Sequence, residues 1–144
     1  DLAWFRRGLE QARSDLLHWI ADDDHKHRYV GYGASVGVTT LRYALGLGEA
    51  LYTFFDDNPN RHGLYVPGQP KKHSAIVEPP EKLYPWKNLA VILFAWRYAD
   101  VILAKHQAFL EAGGVILQPL PTLTVHTAES YARRILATGN PRTA

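Results

Sequence analysis

The sequence contains no cysteine and no methionine among its 144 residues. Without cysteine the chain has no disulfide framework, no thiolate zinc site and no cysteine nucleophile, and this composition is consistent with a cytoplasmic protein. We interpret the missing methionine, together with the start at Asp1, as a sign that the chain is a piece of a longer protein. A processed terminus would look the same.

The sequence also lacks long hydrophobic runs and a large excess of charge of either sign. The longest apolar run, LAVILFAW, has the length of a strand and is far shorter than the ~20 residues that a membrane-spanning helix needs. The net charge is +2, and lysine and arginine are scattered along the chain. We therefore expect neither a membrane segment nor a nucleic-acid partner.

The residues that are present have the composition of an ordinary globular domain, with 47% hydrophobic and 21% charged residues. The length predicts a single domain over 1–144. Residues 2–20 have the spacing of an amphipathic helix, and from residue 29 onward strand-like apolar runs alternate with helical patterns. This alternation is typical of an α/β fold with a doubly wound parallel sheet in three layers. Such folds bind ligands beyond the carboxyl ends of their strands.

A glycine-containing segment, RYVGYGASVGVTT, lies between the first predicted strand and the next predicted helix. Gly31, Gly33 and Gly37 would let the backbone turn sharply and approach a diphosphate at the start of that helix. Asp56, at the end of the second predicted strand, is placed where an acidic residue can hold ribose hydroxyls. These features favour nucleotide binding. The alternative is that the glycines serve close packing and the aspartates cap a turn.

Two further regions are candidates for ligand contact. In the segment DDNPNRHGLYVPG, the side chains of Arg61, His62 and Tyr65 could reach an anionic or sugar ligand, or the segment could be a solvated loop. Trp96, after the long apolar strand, could form the floor of a pocket or a part of the core.

Residues with the chemistry for catalysis or metal binding do not form a recognisable pattern. We interpret His25 and His27, beside three aspartates, as a flexible polar link rather than a metal site, and we interpret His18 and His106 as surface or packing residues within helices. No convincing nucleophile or acid–base pair is evident, so we predict no catalytic residue and no metal ligand.

Four segments in order, VGYGAS, DDNPNRHGLYVPG, LFAWRYAD and GGVILQPLP, resemble the C-terminal domain of S-adenosylmethionine-dependent sugar C-methyltransferases. These enzymes methylate carbon atoms of nucleotide-linked deoxysugars, and the resemblance extends from about residue 16 to residue 121. It implies a Rossmann-like domain that follows a zinc-binding domain and a central methyltransferase domain. S-adenosylmethionine would bind in the central domain, outside this chain. The implied partners are that upstream domain, the nucleotide-linked deoxysugar and, as a further option, a second copy of the chain.

The resemblance also implies a set of substrate-binding residues. The glycine loop would contribute Gly31, Tyr32, Gly33, Ala34 and Ser35. The second wall would consist of Asp57, Asn58, His62, Gly63, Tyr65, Pro67 and Gly68, with Ala95 and Trp96 opposite. Many relatives carry a lysine after the serine of the loop, where this chain reads Val-Gly-Val. Either the substrate of this chain then differs from that of those relatives, or Arg61, Lys71 and Lys72 supply the charge instead.

Three interpretations therefore stay open from the sequence. The first is a nucleotide-sugar-binding module of a C-methyltransferase that is catalytically incomplete alone. The second is a binding module for a dinucleotide such as NAD, supported by the glycine loop and Asp56. The third is a degenerate Rossmann domain that serves for docking or dimerisation.

Overall fold

The computed structural model describes residues 2–48, 51, 53–66 and 76–139. The helices are α1 (Leu2–Asp22), α2 (Val38–Ala44), α3 (Ala99–Lys105), α4 (Gln107–Glu111) and α5 (Ala128–Thr138). The strands are β1 (Arg28–Tyr32), β2 (Phe54–Phe55), β3 (Val77–Glu78), β4 (Leu89–Leu93), β5 (Val115–Gln118) and β6 (Thr124–His126). Short 3₁₀ helices cover Pro59–Arg61, Pro80–Leu83 and Trp96–Tyr98.

The strands form one sheet in the order β3-β2-β1-β4-β5-β6. The first five strands in this order are parallel, and β6 runs antiparallel to β5. The chain builds outward from β1 in one direction through β2 and β3, and in the other through β4 and β5. The gap between the ends of β1 and β4 is therefore the topological switch point, where such folds bind ligands.

Apolar side chains are buried on both faces of the sheet, which gives the fold its three layers. One core cluster joins the sheet to α1 and α2 through residues such as Leu16 and Val38. The other joins the opposite face to α3, α4 and α5 through Leu103, Leu110 and Tyr131. All five residues of β4 are buried, as expected for a strand at the centre of a parallel sheet covered on both faces. The predicted α/β Rossmann-like architecture with an N-terminal helix is confirmed.

The fold differs from the sequence-based expectation in its C-terminal half. The helical pattern after residue 97 does not form one helix, because the chain breaks at His106 between α3 and α4. Strand β6 was not expected, since three residues with a partly exposed pattern carry little periodicity. The predicted last helix is confirmed as α5, and its first turn is capped by reciprocal hydrogen bonds between Thr127 and Ser130.

The segment between α1 and β1 is an organised turn rather than a flexible link. Asp23 is buried, and its carboxylate accepts hydrogen bonds from the backbone N–H and the Nδ1 of His27 and from the hydroxyl of Tyr29. Burial by itself would raise the pKa of Asp23, but these hydrogen bonds outweigh it and the pKa lies below its ordinary value. The described helices include none that is long and apolar enough to cross a membrane.

His126 at the end of β6 is fully buried between two polar partners. Its Nε2–H donates to Gln118 Oε1 at 2.9 Å, and its Nδ1 accepts from Arg134 Nη1 at 3.1 Å. Burial and the nearby charge of Arg134 lower the pKa of His126 to about 4. The folded chain therefore holds this imidazole neutral at pH values where an unfolded chain would protonate it.

We expect His126 to make the fold sensitive to acid. Between its unfolded pKa of about 6.5 and its folded pKa of about 4, the unfolded chain binds the extra proton, so the free energy of unfolding falls as the pH falls. One such proton contributes a slope of up to about 1.4 kcal/mol per pH unit. Urea unfolding at pH 7, 6 and 5 measures that slope. It should flatten in His126→Gln and persist in His18→Gln, which alters an exposed histidine of α1. An unchanged slope in His126→Gln would contradict this assignment.

Candidate functional site

A cleft of about 420 Å³ opens at the carboxyl ends of β1, β2 and β4, at the switch point of the sheet. Six of the residues predicted to bind substrate line it: Tyr32, Gly33, Ser35, Asp57, Ala95 and Trp96. The remaining lining residues are Asp56, Arg61, Phe94, Arg97 and Tyr98. The cleft therefore combines side chains from three separate loops, as expected where parallel strands end at a common edge.

Gly33 brings the loop after β1 into direct contact with the loop after β4. Its φ is +97°, in the region that favours glycine. A Cβ built at this position would lie 2.7 Å from the Cβ of Ala95 and 2.8 Å from its backbone N. The glycine is therefore needed for the wall of the cleft itself, since no side chain fits between the two loops.

Asp56 is buried and holds the loops after β1 and β2 together. Its Oδ2 accepts from the backbone N–H of Ala34 at 2.7 Å and from Nη1 of Arg61 at 2.9 Å. Its Oδ1 accepts from the backbone N–H of Asn58 at 2.8 Å. Its backbone carbonyl accepts a further hydrogen bond from Nε2 of His62. Asp56 therefore links the two loops through its hydrogen bonds.

This use of Asp56 removes the main support for the dinucleotide interpretation. A ribose at the end of β2 would have to displace hydrogen bonds that the chain already makes, from a side chain only 5% exposed. The same argument applies to the ribose of S-adenosylmethionine. The described residues around the glycine loop therefore do not fit that cofactor.

Asp57, in contrast, presents a half-exposed carboxylate to the cleft. Its Oδ2 accepts from the hydroxyl of Tyr32 at 2.8 Å, and its Oδ1 accepts from Nζ of Lys105. Burial alone would raise the pKa of Asp57, but these hydrogen bonds outweigh it and leave the pKa below its ordinary value. Asp57 is therefore ionised at neutral pH and can accept further hydrogen bonds from a ligand.

A buried histidine, His106, contacts the hydroxyl of Tyr32 on the core side of the cleft. The ring of His106, only 2% exposed, lies with Nε2 3.0 Å from the Tyr32 hydroxyl and Nδ1 2.9 Å from the Tyr84 hydroxyl. Burial and the charge of Lys105 lower the pKa of His106, although Asp57 and Glu81 act in the opposite direction.

The two arginines that line the cleft differ in whether a carboxylate of the chain already pairs with them. Arg61 is paired with the carboxylate of Asp56. Arg97 is exposed, makes no ion pair within the described residues, and lies with its guanidinium carbon 4.8 Å from the centre of the Trp96 ring. Val36, which follows Ser35 in the glycine loop, is 96% exposed and supplies no charge. Arg97 is thus a cation available to an anionic ligand, in addition to the basic residues named from the sequence.

The other predicted substrate-binding residues that the structure describes lie outside the lining of this cleft. Gly31 faces the core, where a Cβ would meet the ring of Phe54 at 2.4 Å. The backbone N–H of Ala34 and the ring of His62 donate hydrogen bonds to Asp56. Asn58 caps the 3₁₀ helix Pro59–Arg61. Gly63 lies in a turn, with a φ of +80°. Tyr65 is 63% exposed and bridges to Ile76. Pro67, Gly68, Lys71 and Lys72 lie outside the described residues.

Lys105 and His106 are functional candidates that sequence reasoning missed. Both lie in what reads as a continuous amphipathic helix, and the break at His106 turns its ring inward toward Tyr32. Arg97 and Tyr98 also line the cleft, and their place after β4 is the sequence signal that assigns them to it. In the described ranges, no group of three His, Cys, Asp or Glu side chains is arranged to hold a metal ion.

We expect Asp56→Asn to destabilise the domain by about 2 kcal/mol, because an amide NH₂ would face at least one of the N–H donors that the carboxylate now accepts from. Urea unfolding at pH 7 measures the change. Asp100→Asn, at a half-exposed position with a long 3.9 Å ion pair, is the matched control and should change stability by less than about 0.5 kcal/mol. Equal losses of stability in Asp56→Asn and Asp100→Asn would contradict the assignment of Asp56 as the link between the two loops.

The charges around His106 predict opposite pKa changes in two variants. Lys105→Gln removes a charge that lowers the pKa of His106, so this pKa should rise. Asp57→Asn removes a charge that raises it, so the pKa should fall further. Titration of the imidazole by ¹H–¹⁵N NMR measures both, and shifts of the same sign would refute the arrangement.

Comparison with known proteins gives a consistent family. Residues 2–121 match the family described as the C-methyltransferase C-terminal domain. The chain is similar to the C-methyltransferase NovU of Streptomyces niveus, with 33% identity over 101 residues, which are 69% of this chain and 23% of that protein. The matched region thus spans less than a quarter of this curated relative. With a family match that covers most of its length, the chain belongs to the C-methyltransferase C-terminal domain family.

Proposed function

We propose that this chain is the nucleotide-sugar-binding domain of an S-adenosylmethionine-dependent C-methyltransferase, and that the methyl donor and the acid–base residues lie elsewhere in the parent enzyme. The family and the similarity to a protein named a C-methyltransferase support the reaction class. The relative's much greater length leaves room for a separate methyl-transferring domain.

The observation that carries the proposal is the mixture of side chains in the cleft at the switch point. Asp57 offers an ionised acceptor for sugar hydroxyls, and Arg97 offers a cation for phosphate. Trp96 offers an aromatic surface for a base or a sugar ring. A nucleotide-linked sugar carries all three complementary groups in one molecule.

The titration behaviour of the cleft supports the proposal that the chain is catalytically incomplete alone. A general base works best with a pKa near the operating pH. The pKa of Asp57 is lowered, whereas burial and the hydrogen bond to Asp57 raise the pKa of Tyr32 far above neutrality. Among the described residues of the cleft, neither group is suited to remove a proton from a substrate carbon.

Exposed apolar side chains at the start of α1 favour an additional docking role. Leu2, Trp4 and Phe5 are 82%, 71% and 53% exposed. Large contiguous apolar patches on a protein surface mark interaction sites. They are consistent with contact to the upstream domain of the parent enzyme or to a second copy of the chain.

We expect the chain to bind deoxythymidine diphosphate glucose, a probe of the proposed ligand class, in isothermal titration calorimetry. Arg97→Gln should weaken this binding about tenfold, equivalent to about 1.4 kcal/mol, because it removes a charge from the cleft. Arg133→Gln is the control, since that residue lies exposed on α5 and outside the lining of the cleft.

The same titrations with S-adenosylmethionine and with NAD separate the alternatives. Tight binding of S-adenosylmethionine would contradict the proposed division between domains. Heat with NAD alone would favour the dinucleotide interpretation, and no heat with any of the three ligands would favour a docking domain.

A further inference from the structure

A continuous hydrogen-bonded chain of five side chains runs from the cleft through the core to the exposed Tyr84, and we call it the Tyr32 chain. It links Lys105 to Asp57, Asp57 to Tyr32 at 2.8 Å, Tyr32 to His106 at 3.0 Å, and His106 to Tyr84 at 2.9 Å. Its members come from the end of β1, the loop after β2, the end of α3 and the break that follows it, and the segment after the 3₁₀ helix Pro80–Leu83.

The donors and acceptors of the Tyr32 chain can be ordered in only one way while Asp57 is ionised and His106 is neutral. The carboxylate only accepts, so the single proton of Tyr32 points to Asp57. The Tyr32 oxygen must then accept from Nε2–H of His106. Because the lowered pKa of His106 leaves its ring neutral at pH 7, Nδ1 carries no proton and accepts from the hydroxyl of Tyr84.

Packing alone does not explain these polar groups. Tyr32 and His106 are each 2% exposed, and the cluster around them includes Phe55, Leu83 and Leu103. Burial of a hydroxyl or an imidazole costs desolvation free energy, which phenylalanine at the same positions would avoid. A buried polar network instead fixes the geometry of its members. What the polar atoms add is a fixed direction for the carboxylate of Asp57, the half-exposed member of the Tyr32 chain that lines the cleft.

We infer that Tyr32 and His106 are positioning residues that hold the Asp57 carboxylate in one orientation, in which its remaining lone pairs accept hydrogen bonds from neighbouring hydroxyl groups of a ligand's sugar. The inference rests on the proposed function, since it needs a sugar in this cleft. One hydrogen bond to each oxygen, from Tyr32 and from Lys105, leaves further acceptor sites on both oxygens. Two adjacent hydroxyls can use these sites together. A carboxylate free to rotate would lose conformational entropy when the ligand binds, and this loss would weaken the affinity.

The test compares two ligands that differ only in the sugar, deoxythymidine diphosphate glucose and deoxythymidine diphosphate. In Tyr32→Phe, calorimetry should show about tenfold weaker binding of the first ligand and less than twofold change for the second. His106→Phe should give the same pattern, and it serves as the second variant if Tyr32→Phe does not fold. Tyr131→Phe removes another buried tyrosine hydroxyl from the same core cluster, away from Asp57, and should leave both affinities unchanged.

A double-mutant cycle distinguishes positioning from a general structural effect. Asp57→Asn should weaken binding of the sugar-bearing ligand, and Tyr32→Phe added to Asp57→Asn should weaken it no further. Equal losses for both ligands, or additive losses in the double variant, would overturn the inference while leaving the proposed function intact. If the unaltered chain bound neither ligand, both the inference and the proposed function would be overturned.

Discussion

The cleft depends on one buried carboxylate. Asp56 accepts hydrogen bonds from Ala34, Asn58 and Arg61, and so joins the loop after β1 to the loop after β2. Because these loops supply Gly33, Ser35 and Asp57 to the cleft, its shape follows from the geometry around a single side chain. The same contact pairs the charge of Arg61, whereas Arg97 makes no ion pair within the described residues. Two adjacent aspartates thus have different tasks: the first is structural, and the second faces the cleft.

The division between these aspartates follows from the alternation of side chains at the end of a strand. Phe54 and Phe55 of β2 enter the two different core clusters. The residues after them continue toward opposite sides, Asp56 to the glycine loop and Asp57 to Tyr32 and Lys105. A helix broken at His106 completes the second side, because the break brings an imidazole under the hydroxyl of Tyr32. The fold therefore holds the Asp57 carboxylate between Tyr32 and Lys105 at the lining of the cleft.

Much of the architecture could be predicted from the sequence, because the long apolar run of β4 and the amphipathic pattern of α1 are strong signals of element type. The location of the cleft could be predicted as well, since it follows from parallel topology. The tasks of individual residues could not, because Asp56 and Asp57 are chemically identical in the sequence and differ only in what each meets in space. The break at His106 escaped prediction for a similar reason: the residues around it have ordinary helix propensity, and tertiary hydrogen bonds decide the outcome.

The contact between Gly33 and Ala95 has a consequence for how this domain can vary during evolution. A change of Ala95 to glycine would remove the Cβ that a side chain at position 33 meets at 2.7 Å. It would leave the backbone N of residue 95 at 2.8 Å, together with a φ of +97° at position 33. A substitution at 95 alone therefore does not make room for a larger residue at 33. Any residue other than glycine at this position requires the backbone of the loop after β4 to shift.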